Sequence, residues 1–396
     1  MNQDFLSYIK ETYPSLKEEL AEIYQHLHKH PERGMQEYET TAYIKAYLIN
    51  LGYEIMDLEI ETGVVAILHG NSESPCVALR ADMDALPIEE ASGVPYASLT
   101  SGMMHACGHD IHMTCLLGAA KLLAPLKGKL QGTVKLIFQP GEEGYLGAKY
   151  MMKAGAFENP KVDAVFGLHN SPEVPLGSVG LKNGALMAAV HRFYITLHGK
   201  GGHGAIPHKN IDPIPAGAAI IQSLQTLVSR ETDPLKSCVV SICSVHAGDG
   251  LTFNVTPETL TMAGTCRCYD KEMEARLEER IRCIVENTAA AYQLTAELEY
   301  HVDHRAVIND NQLYQASCHV LDCIDIPYME PIPSTAGEDF SEYIDKAPTF
   351  LFWLGIRNEE TGCTYPWHSP FFKADMECLP IGAATYAVSA IYHTER

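Results

Sequence analysis

The sequence predicts an α/β protein that is interrupted by a separate α+β unit of the ferredoxin-like type. Three observations predict it. Short apolar strands alternate with helices in the first half of the chain, a complete β-α-β-β-α-β order follows from about Val190, and further helix and strand patterns come after it. A complete unit inside an alternating pattern is typical of an inserted domain. We therefore expect one domain to comprise residues 1–187 and 304–396, and the other to comprise residues 188–303.

The first half of the chain begins with two helices. Ser15 and Glu18 form a capping-box pattern ahead of an apolar stripe that Pro31 ends, and a second helix is expected over residues 40–51, with Gly52 as its stop. Strands and helices then alternate, which favours a sheet of parallel strands. The expected strands are 64–68, 77–82, 133–139 and 163–169, and the expected helices are 113–126 and 147–154.

The inserted unit and the segment after it follow from the same patterns. Its expected strands are 192–198, 237–247, 258–269 and 294–302, and its expected helices are 213–230 and 271–292. A helix from Gln312, a strand at 349–355 and a last helix at 382–392 would complete the first domain.

Composition limits the possible functions. The chain has 396 residues and a formal net charge of −21, which disfavours nucleic acid as a partner. The first residues lack the apolar core of a signal peptide, and no apolar run is long enough to span a bilayer, so we expect a cytoplasmic protein without a membrane partner. In that compartment thiols stay reduced. A special cysteine among the twelve is therefore a metal ligand or a nucleophile rather than half of a disulfide.

Residues able to bind a metal follow several of the predicted strands. Strand 133–139 runs into Pro140-Gly141-Glu142-Glu143-Gly144, strand 163–169 ends at His169, and strand 77–82 runs into Asp82 and Asp84. The segment His105-Ala106-Cys107-Gly108-His109-Asp110 precedes a helix, and His368 comes much later. Open α/β sheets carry their sites at the carboxyl ends of their strands. Any one of these residues alone is more often a surface or core residue, but cysteine, histidine and glutamate together are the ligands of zinc-like metals.

Three motifs carry a resemblance to a known family. Arg-Ala-Asp-Met-Asp-Ala-Leu-Pro at 80–87, Met-His-Ala-Cys-Gly-His-Asp at 104–110 and Gln-Pro-Gly-Glu-Glu-Gly at 139–144 resemble the M20 metallopeptidases. More narrowly, they resemble the amidohydrolase branch, which includes aminoacylases, hippurate hydrolases and auxin-conjugate hydrolases. The resemblance implies an aminopeptidase-like catalytic domain, with the inserted ferredoxin-like domain acting as a lid and dimerisation domain.

The resemblance also implies a site with two divalent metal ions per subunit. The implied ligands are Cys107, His109, Glu143, His169 and His368, and the implied general base is Glu142. Other members of the family have a His-x-Asp ligand where this chain has Arg80-Ala-Asp82, and Cys107 would supply the missing donor. Asp82 and Asp110 would then orient the ligands without touching a metal. Asp82 and Asp84 could instead be carboxylates that close a turn. Zinc, manganese, cobalt and nickel all remain open.

On the inserted domain, the resemblance implies that His203 stabilises the oxyanion and that Asn254 and Arg267 bind the substrate's carboxylate. Arg267 could equally be a surface charge, and Arg305 is a further candidate. Gly199, Gly201 and Gly204 also fit a Gly-x-Gly-x-x-Gly pattern. A dinucleotide site is disfavoured there because prolines follow the pattern and no acidic residue stands about twenty positions later.

These residues predict metal-dependent hydrolysis of the amide bond in N-acyl-L-amino acids by a homodimer or a higher homo-oligomer. A dipeptidase or carboxypeptidase with the same site is the alternative. A non-catalytic metal-binding protein is disfavoured because it would need Glu143 but not Glu142. A serine hydrolase is disfavoured because the chain has no Gly-x-Ser-x-Gly motif.

Overall fold

The structure is a computed structural model that describes residues 3–395. Its helices are α1 Gln3–Thr12, α2 Lys17–Lys29, α3 Tyr38–Asn50, α4 His109–Leu123, α5 Gly147–Lys153, α6 Pro213–Thr226, α7 Lys271–Ala291, α8 Asn311–Cys323 and α9 Cys378–Thr394. Its strands are β1 Glu54–Ile55, β2 Val64–Leu68, β3 Cys76–Asp82, β4 Thr133–Gln139, β5 Ala164–Pro175, β6 Val179–Gly180, β7 Gly184–Met187, β8 Ala189–His198, β9 Gly202–His203, β10 Cys238–Ala247, β11 Val255–Thr256, β12 Thr259–Cys268, β13 Thr295–His304, β14 Val307–Asn309, β15 Tyr328–Met329 and β16 Thr349–Arg357. Short 3-10 helices lie at Tyr13–Leu16, Ala124–Leu126, Pro207–Lys209 and Asp339–Asp345, and a π-helical turn lies at Leu227–Glu231.

The chain divides into two compact units. The first comprises Met1–Leu186, Ile308–Ile332 and Asp339–Arg396, and the second comprises Met187–Val307 and Pro333–Glu338. The short segment Pro333–Glu338 returns to the second unit late in the chain, and no sequence pattern indicated this return. Among the described residues, no helix is both long and apolar enough to cross a membrane.

The first unit is built on a mixed sheet with the order β1-β2-β4-β3-β5-β16-β6-β15. Strands β4, β3, β5 and β16 run parallel to one another, whereas β2 is antiparallel to β4 and β6 is antiparallel to β16. The expectation of parallel strands is therefore confirmed for the centre of the sheet and wrong for β2, whereas β6 was not predicted. Every residue of β2, β3 and β4 is buried, which explains their continuous apolar runs.

The second unit has the predicted β-α-β-β-α-β order in β8, α6, β10, β12, α7 and β13. Its antiparallel sheet has the order β10-β12-β8-β13, the arrangement of a ferredoxin-like fold. Along β8, buried residues such as Phe193, Ile195 and Leu197 alternate with more exposed ones, so one face of the sheet forms the core of this unit. The predicted α+β class of the insertion is confirmed.

One local prediction is wrong. The Ser15 hydroxyl does not cap a helix but donates a hydrogen bond to the carbonyl of Thr12 at 2.7 Å. The chain is already helical before Ser15, through α1 and the 3-10 helix Tyr13–Leu16, so α2 continues from a helical turn and has no side-chain cap. A capping box needs an extended residue ahead of the helix, and that residue is absent here.

A buried histidine joins α2 to α4. Nδ1 of His28 lies 2.6 Å from the Asp110 carboxylate, and its Nε2 lies 3.1 Å from Glu90. Although burial lowers it, the hydrogen bonds to Asp110 and Glu90 raise the pKa of His28 to about 9. Asp110 thus binds His28 and its own neighbour, the Ile111 N–H. It anchors the helix that begins at His109, rather than contacting a predicted ligand side chain directly.

Replacing His28 by Gln should destabilise the first unit in a pH-dependent way. The folded-state pKa lies above the unfolded value, so the stabilisation by His28 is complete below about pH 6.5 and is lost as the pH rises through 9. We expect the difference in unfolding free energy between wild type and His28→Gln to be roughly 3 kcal/mol at pH 6 and to shrink towards pH 10. Both tryptophans, Trp353 and Trp367, belong to this unit. Denaturant titrations followed by tryptophan fluorescence can therefore measure the unfolding free energy of the first unit. A difference that stays constant with pH would contradict the prediction.

Candidate metal centre

The site lies at the carboxyl edge of the central parallel strands. Asp82, the last residue of β3, is the register partner of Gln139, the last residue of β4. The turn that contains Glu142 and Glu143 follows directly after β4. On the other side of β3, strand β5 carries His169. The strand register therefore brings together residues that are far apart in the sequence.

A glycine allows Cys107 and His109 to lie side by side. Gly108 has a φ of +87° and stands immediately before α4, whose first residue is His109. A Cβ atom at Gly108 would lie 2.3 Å from the side-chain nitrogen of Asn170, so no larger residue fits. The Cys107 carbonyl accepts a hydrogen bond from that same nitrogen at 2.6 Å.

The structure brings all five predicted ligands together in two groups that share Cys107. One group is Cys107, His109 and His169, and the other is Cys107, Glu143 and His368. Within each group the candidate ligand atoms lie within 4.8 Å of one another. The arrangement offers two neighbouring metal positions with one thiol between them.

The side chains present fit divalent metal ions. Nε2 of His109 and Oε1 of Glu143 are buried and have no hydrogen-bond partner among the described residues. Oε1 of Glu143 lies 3.1 Å from Nε2 of His368. This distance is that of an ion pair, but the angles between the two groups are not those of a hydrogen bond. Sγ of Cys107 lies 3.6 Å from Nε2 of His169, close to the ~3.6 Å expected between sulfur and nitrogen ligands of one tetrahedral zinc ion. Buried polar atoms without partners are costly unless a ligand satisfies them.

Asp84, not Asp82, lies within hydrogen-bonding distance of the ligand candidate His109. Oδ1 of Asp84 lies 3.2 Å from Nδ1 of His109, which leaves Nε2 directed at the metal position. Asp82 lies 3.6 Å from His109 Nε2, too far for a hydrogen bond. The pairing of Asp84 with His109 is the carboxylate–histidine arrangement that fixes the tautomer of a metal ligand. The sequence interpretation of Asp84 as a turn-closing carboxylate missed this contact.

Asp82 instead joins a buried cluster of charged groups. Its carboxylate accepts hydrogen bonds from the Arg80 guanidinium at 3.0 Å and from His112 Nδ1 at 2.5 Å. Although burial opposes ionisation, the charges of His109 and Arg80 and the hydrogen bond from His112 hold the pKa of Asp82 well below its usual value. Asp82 therefore acts on the site through His112 and the backbone around it.

Two residues without a predicted role connect the site. Nε2 of His112 accepts hydrogen bonds from the backbone and side-chain nitrogens of Asn170, both at 2.9 Å. Since both ring nitrogens are occupied, His112 is a neutral hydrogen-bonding link rather than a metal ligand. The sequence could have indicated this role of His112, because it stands three residues after the ligand candidate His109 and residues three apart on a helix share a face. Asn170 also accepts from the Trp367 indole at 3.1 Å, next to His368.

The protonation states of two histidines in one ligand group, His169 and His109, differ. Burial lowers the pKa of His169 to about 4, so its imidazole is neutral at physiological pH, the form that binds metals. Although burial lowers it, Asp82 and Asp84 raise the pKa of His109 to about 10 in the metal-free protein. A metal ion bound at His109 would therefore displace a proton, so its uptake would be coupled to proton release.

Glu142 is held at both its backbone and its carboxylate. Its N–H donates to Oδ1 of Asp84 at 3.0 Å, and its Oε1 accepts a hydrogen bond from the Asp339 N–H at 3.3 Å. The side chain is nearly buried and lies within 4.8 Å of ligand atoms of His109 and Glu143. This position beside the metal ligands is the one that a general base requires.

His368 differs from the other ligand candidates in its exposure. Its side chain is 53% exposed, whereas His109 and His169 are buried. Its backbone has a φ of +62°, an uncommon conformation for a non-glycine residue, and its N–H donates to the Ala106 carbonyl at 2.9 Å. That hydrogen bond ties the late segment carrying His368 to the segment carrying Cys107.

The second unit brings His203 and Asn254 together. His203 lies on β9, which pairs with β11, and the next residue, Gly204, donates its N–H to the Asn254 carbonyl at 2.8 Å. Nδ1 of His203 accepts a hydrogen bond from the Ala205 N–H at 3.1 Å. The neutral ring therefore carries its proton on Nε2, and the exposed side chain can act as a donor.

Arg267 lies at the other end of the second unit's sheet. The segment that leads from β8 to β9 lies beside the start of β12, where the Gly199 N–H donates to the Glu258 carbonyl at 2.7 Å. From Thr259 to Arg267, β12 rises about 26 Å at ~3.3 Å per residue. The guanidinium already donates to Thr265, to the Cys266 carbonyl at 2.8 Å and to the Thr335 carbonyl at 3.1 Å. Within one chain, the structure does not bring Arg267 together with His203 and Asn254.

Comparison with known proteins decides the family. The model for peptidase family M20/M25/M40 matches residues 78–391, which include all five ligand candidates. The chain belongs to this family. The predicted family and the predicted class of enzyme, a hydrolase, are confirmed.

Members with known names cover nearly the whole chain. An N-acetyl-L-cysteine deacetylase of Bacillus subtilis is 41% identical over 94% of this chain and 88% of its own length. A thermostable carboxypeptidase 2 of Saccharolobus solfataricus is 38% identical over 98% of both chains. The crystal structure of a dinuclear metal-binding peptidase of the M20 family from Bacillus subtilis is 37% identical, with a TM-score of 0.85 over 96% of this chain and 98% of that one. These M20 proteins agree with amide hydrolysis and with a site for two metal ions.

Metal analysis of three variants tests whether Cys107 is shared by the two ligand groups. Because Cys107 belongs to both groups, Cys107→Ala should lose both metal equivalents, whereas His169→Ala should lose about one. Cys115→Ala is the matched control, since Cys115 is a buried free cysteine outside these groups. Elemental analysis of purified protein after dialysis measures the result. Retention of both equivalents by Cys107→Ala would show that the thiol is not a shared ligand.

Proposed function

We propose that this chain hydrolyses the amide bond of N-acyl-L-amino acids and releases a carboxylic acid and a free amino acid. The single observation that carries the proposal is the position of Glu142. This carboxylate is not needed in either ligand group, yet it is held beside them by Asp84 and by the Asp339 N–H. A protein that only stored or sensed metal would not need a buried carboxylate at that position.

The residues of this chain divide the chemical work. When bound, two divalent ions would polarise the amide carbonyl and lower the pKa of the attacking water. The donor set of thiolate, imidazole and carboxylate suits zinc, manganese, cobalt or nickel better than magnesium or calcium. Glu142 takes the proton of the water and passes it to the leaving amine, while Glu143 holds its neighbouring position as a ligand. His203 donates from Nε2 to the oxyanion of the tetrahedral intermediate.

We further propose that the functional form is a homodimer, or a higher homo-oligomer made from such dimers, whose site is shared. Arg267 lies about 26 Å along β12 from Thr259, at the opposite end of the strand from the segment that carries His203 and Asn254, too far for these residues of one chain to hold the same small substrate. If Arg267 binds the substrate's carboxylate, His203 and Asn254 must come from the other subunit.

The twelve cysteines are all free, which supports the expected cytoplasmic location.

A carboxypeptidase with the same site is the second candidate. The similarity to the Saccharolobus carboxypeptidase favours it. Both activities release an amino acid with a free carboxylate, and they differ only in the group on the carbonyl side of the cleaved bond, which is a short acyl group in one case and a peptide in the other. A short acyl group needs a small pocket, whereas a peptide needs an extended cleft. The distinction therefore lies in substrate length and not in the metal ligands.

A substrate panel tests the proposed function. N-acetyl and N-benzoyl amino acids should be cleaved with a kcat/KM at least tenfold higher than that of tripeptides or of the same compounds with a C-terminal amide. Glu142→Gln should lower kcat by about 10²-fold or more while both metal equivalents stay bound, because a base contributes that much and is not a ligand. A preference for peptides would establish the carboxypeptidase instead. Near-normal kcat in Glu142→Gln would remove Glu142 as the base.

Mixing two inactive variants tests the shared site. Glu142→Ala and His203→Ala homodimers should each be nearly inactive. In a mixed dimer one site carries both defects, while the other combines an intact Glu142 with the partner's intact His203. With random pairing, about a quarter of all sites should recover activity. Two different affinity tags confirm that mixed dimers form. Mixed dimers that stay as inactive as the single variants would exclude a shared site.

A further inference from the structure

Two buried carboxylates bind three successive backbone N–H groups of the turn that carries Glu142 and Glu143. Oε1 of Glu37 accepts from the Gly141 N–H at 2.9 Å. Oδ1 and Oδ2 of Asp84 accept from the N–H groups of Glu142 and Glu143 at 3.0 and 2.9 Å. Successive N–H groups that point to one side form a concave anion-binding turn, called a nest. Here the anions are side chains of the protein itself.

The conformation of the turn depends on its first residue. Gly141 has a φ of +61°, the left-handed conformation that turns its N–H towards Glu37. A Cβ atom at this position would lie 2.8 Å from the Met35 sulfur and 2.9 Å from the Tyr145 Cβ. The turn is thus enclosed on the side of the segment that leads from Met35 to Glu37.

Glu37 is not needed for the helix that it precedes. It occupies the N-cap position of α3, where an acidic side chain ordinarily accepts from the first N–H groups of the helix, but its side chain makes no such bond. Glu32 does this instead, and its two oxygens accept from the N–H groups of Glu39 and Thr40 at 3.1 and 2.8 Å. The start of α3 is satisfied without Glu37.

The placement of Glu37 is unfavourable for stability. The residue is fully buried, and its Oε2 has no hydrogen-bond partner among the described residues. Burial, followed by the nearby charge of Asp84, raises its pKa to about 7. An apolar side chain of the same length would avoid these costs. A residue that costs stability and does not cap its own helix needs another reason to be present.

We propose that Glu37 is a positioning residue for the turn 141–143, which sets the base Glu142 and the ligand Glu143 relative to each other. Asp84 fixes the backbone of both glutamates and orients His109, and Glu37 fixes the residue at which the turn enters the site. The proposal rests on the proposed function for the role of Glu142. It adds that the precision of the site depends on a carboxyl group that touches neither metal nor substrate.

Three variants distinguish a role of Glu37 in positioning the turn 141–143 from a role in the stability of the fold. Glu37→Met keeps the length of the side chain but removes the acceptor, Glu37→Gln keeps an acceptor oxygen, and Glu32→Met removes the real helix cap. We expect Glu37→Met to lower kcat about 10- to 100-fold, the usual effect of losing a residue that supports metal ligands, with KM within about threefold of wild type. Its Tm should be unchanged or higher. Glu37→Gln should restore most of kcat, and Glu32→Met should lower Tm while kcat stays normal.

A spectroscopic measurement makes the test independent of activity. In the cobalt-substituted protein, the visible absorption bands report the geometry around the metal, so they should change in Glu37→Met and be retained in Glu37→Gln and Glu32→Met. A Glu37→Met protein with wild-type kcat and wild-type bands would overturn the proposal. If Glu37→Met does not fold, Glu37→Asp replaces it, because a carboxylate one methylene shorter withdraws from Gly141, and the same two readouts decide. If no N-acyl amino acid is hydrolysed by the wild type, the proposed function fails, whereas the cobalt bands still decide the role of Glu37.

Discussion

The site depends on the neutralisation of one buried charge, the guanidinium of Arg80. This side chain is fully buried at the carboxyl end of β3, where an unpaired cation would be strongly destabilising. It donates to Gln139 at 2.9 Å, to Asp82 at 3.0 Å and to Asp339 at 2.9 Å. Asp82 and Gln139 lead directly into the segments that carry Asp84 and Glu142, and the Asp339 N–H binds the carboxylate of Glu142. Since breaking a buried ion pair costs roughly 3–5 kcal/mol, these segments are held in place by the need to satisfy Arg80.

The metal centre is therefore surrounded by hydrogen bonds that leave little freedom to its side chains. Asp84 serves His109 and both glutamates, and Asn170 serves Cys107, His112 and Trp367. Each of these residues is buried and uses its oxygens or nitrogens for several partners at once. Metal ligands placed in this way are preorganised, so that little reorganisation is needed when the reaction begins. This arrangement lowers the stability of the fold locally, because a carboxyl such as Glu37 is buried while one of its oxygens has no hydrogen-bond partner among the described residues.

The sequence could predict the ligand candidates because their chemistry and their positions after strands are both local features. Cys107, His109, Glu143 and His169 stand in short motifs, and parallel strands bring such motifs to one edge. The supporting contacts could not be predicted in this way. Asp339 meets Arg80 across 259 positions of the chain, and only the folded structure shows that pairing. The choice between Asp82 and Asp84 depended on side-chain direction, which residue type does not reveal. Ser15 was misassigned for a related reason, since a capping pattern does not report whether the preceding residues are already helical.

The order of the strands has a consequence for how the chain is made. Strand β16 pairs with β5 along most of its length, yet the whole stretch Met187–Val307 is synthesised between the two. While the ribosome produces that stretch, the edge of β5 that will later pair with β16 has no partner strand. The inserted unit can already be folded at this stage, because the strands of its sheet are contiguous in sequence. Exposed strand edges in incomplete sheets promote aggregation, and pairing between distant strands is slow. The nascent chain therefore passes through a period in which its central sheet is half built, and the demand for chaperones should be concentrated there. His368, which follows β16, joins the other ligand candidates only after that period has ended.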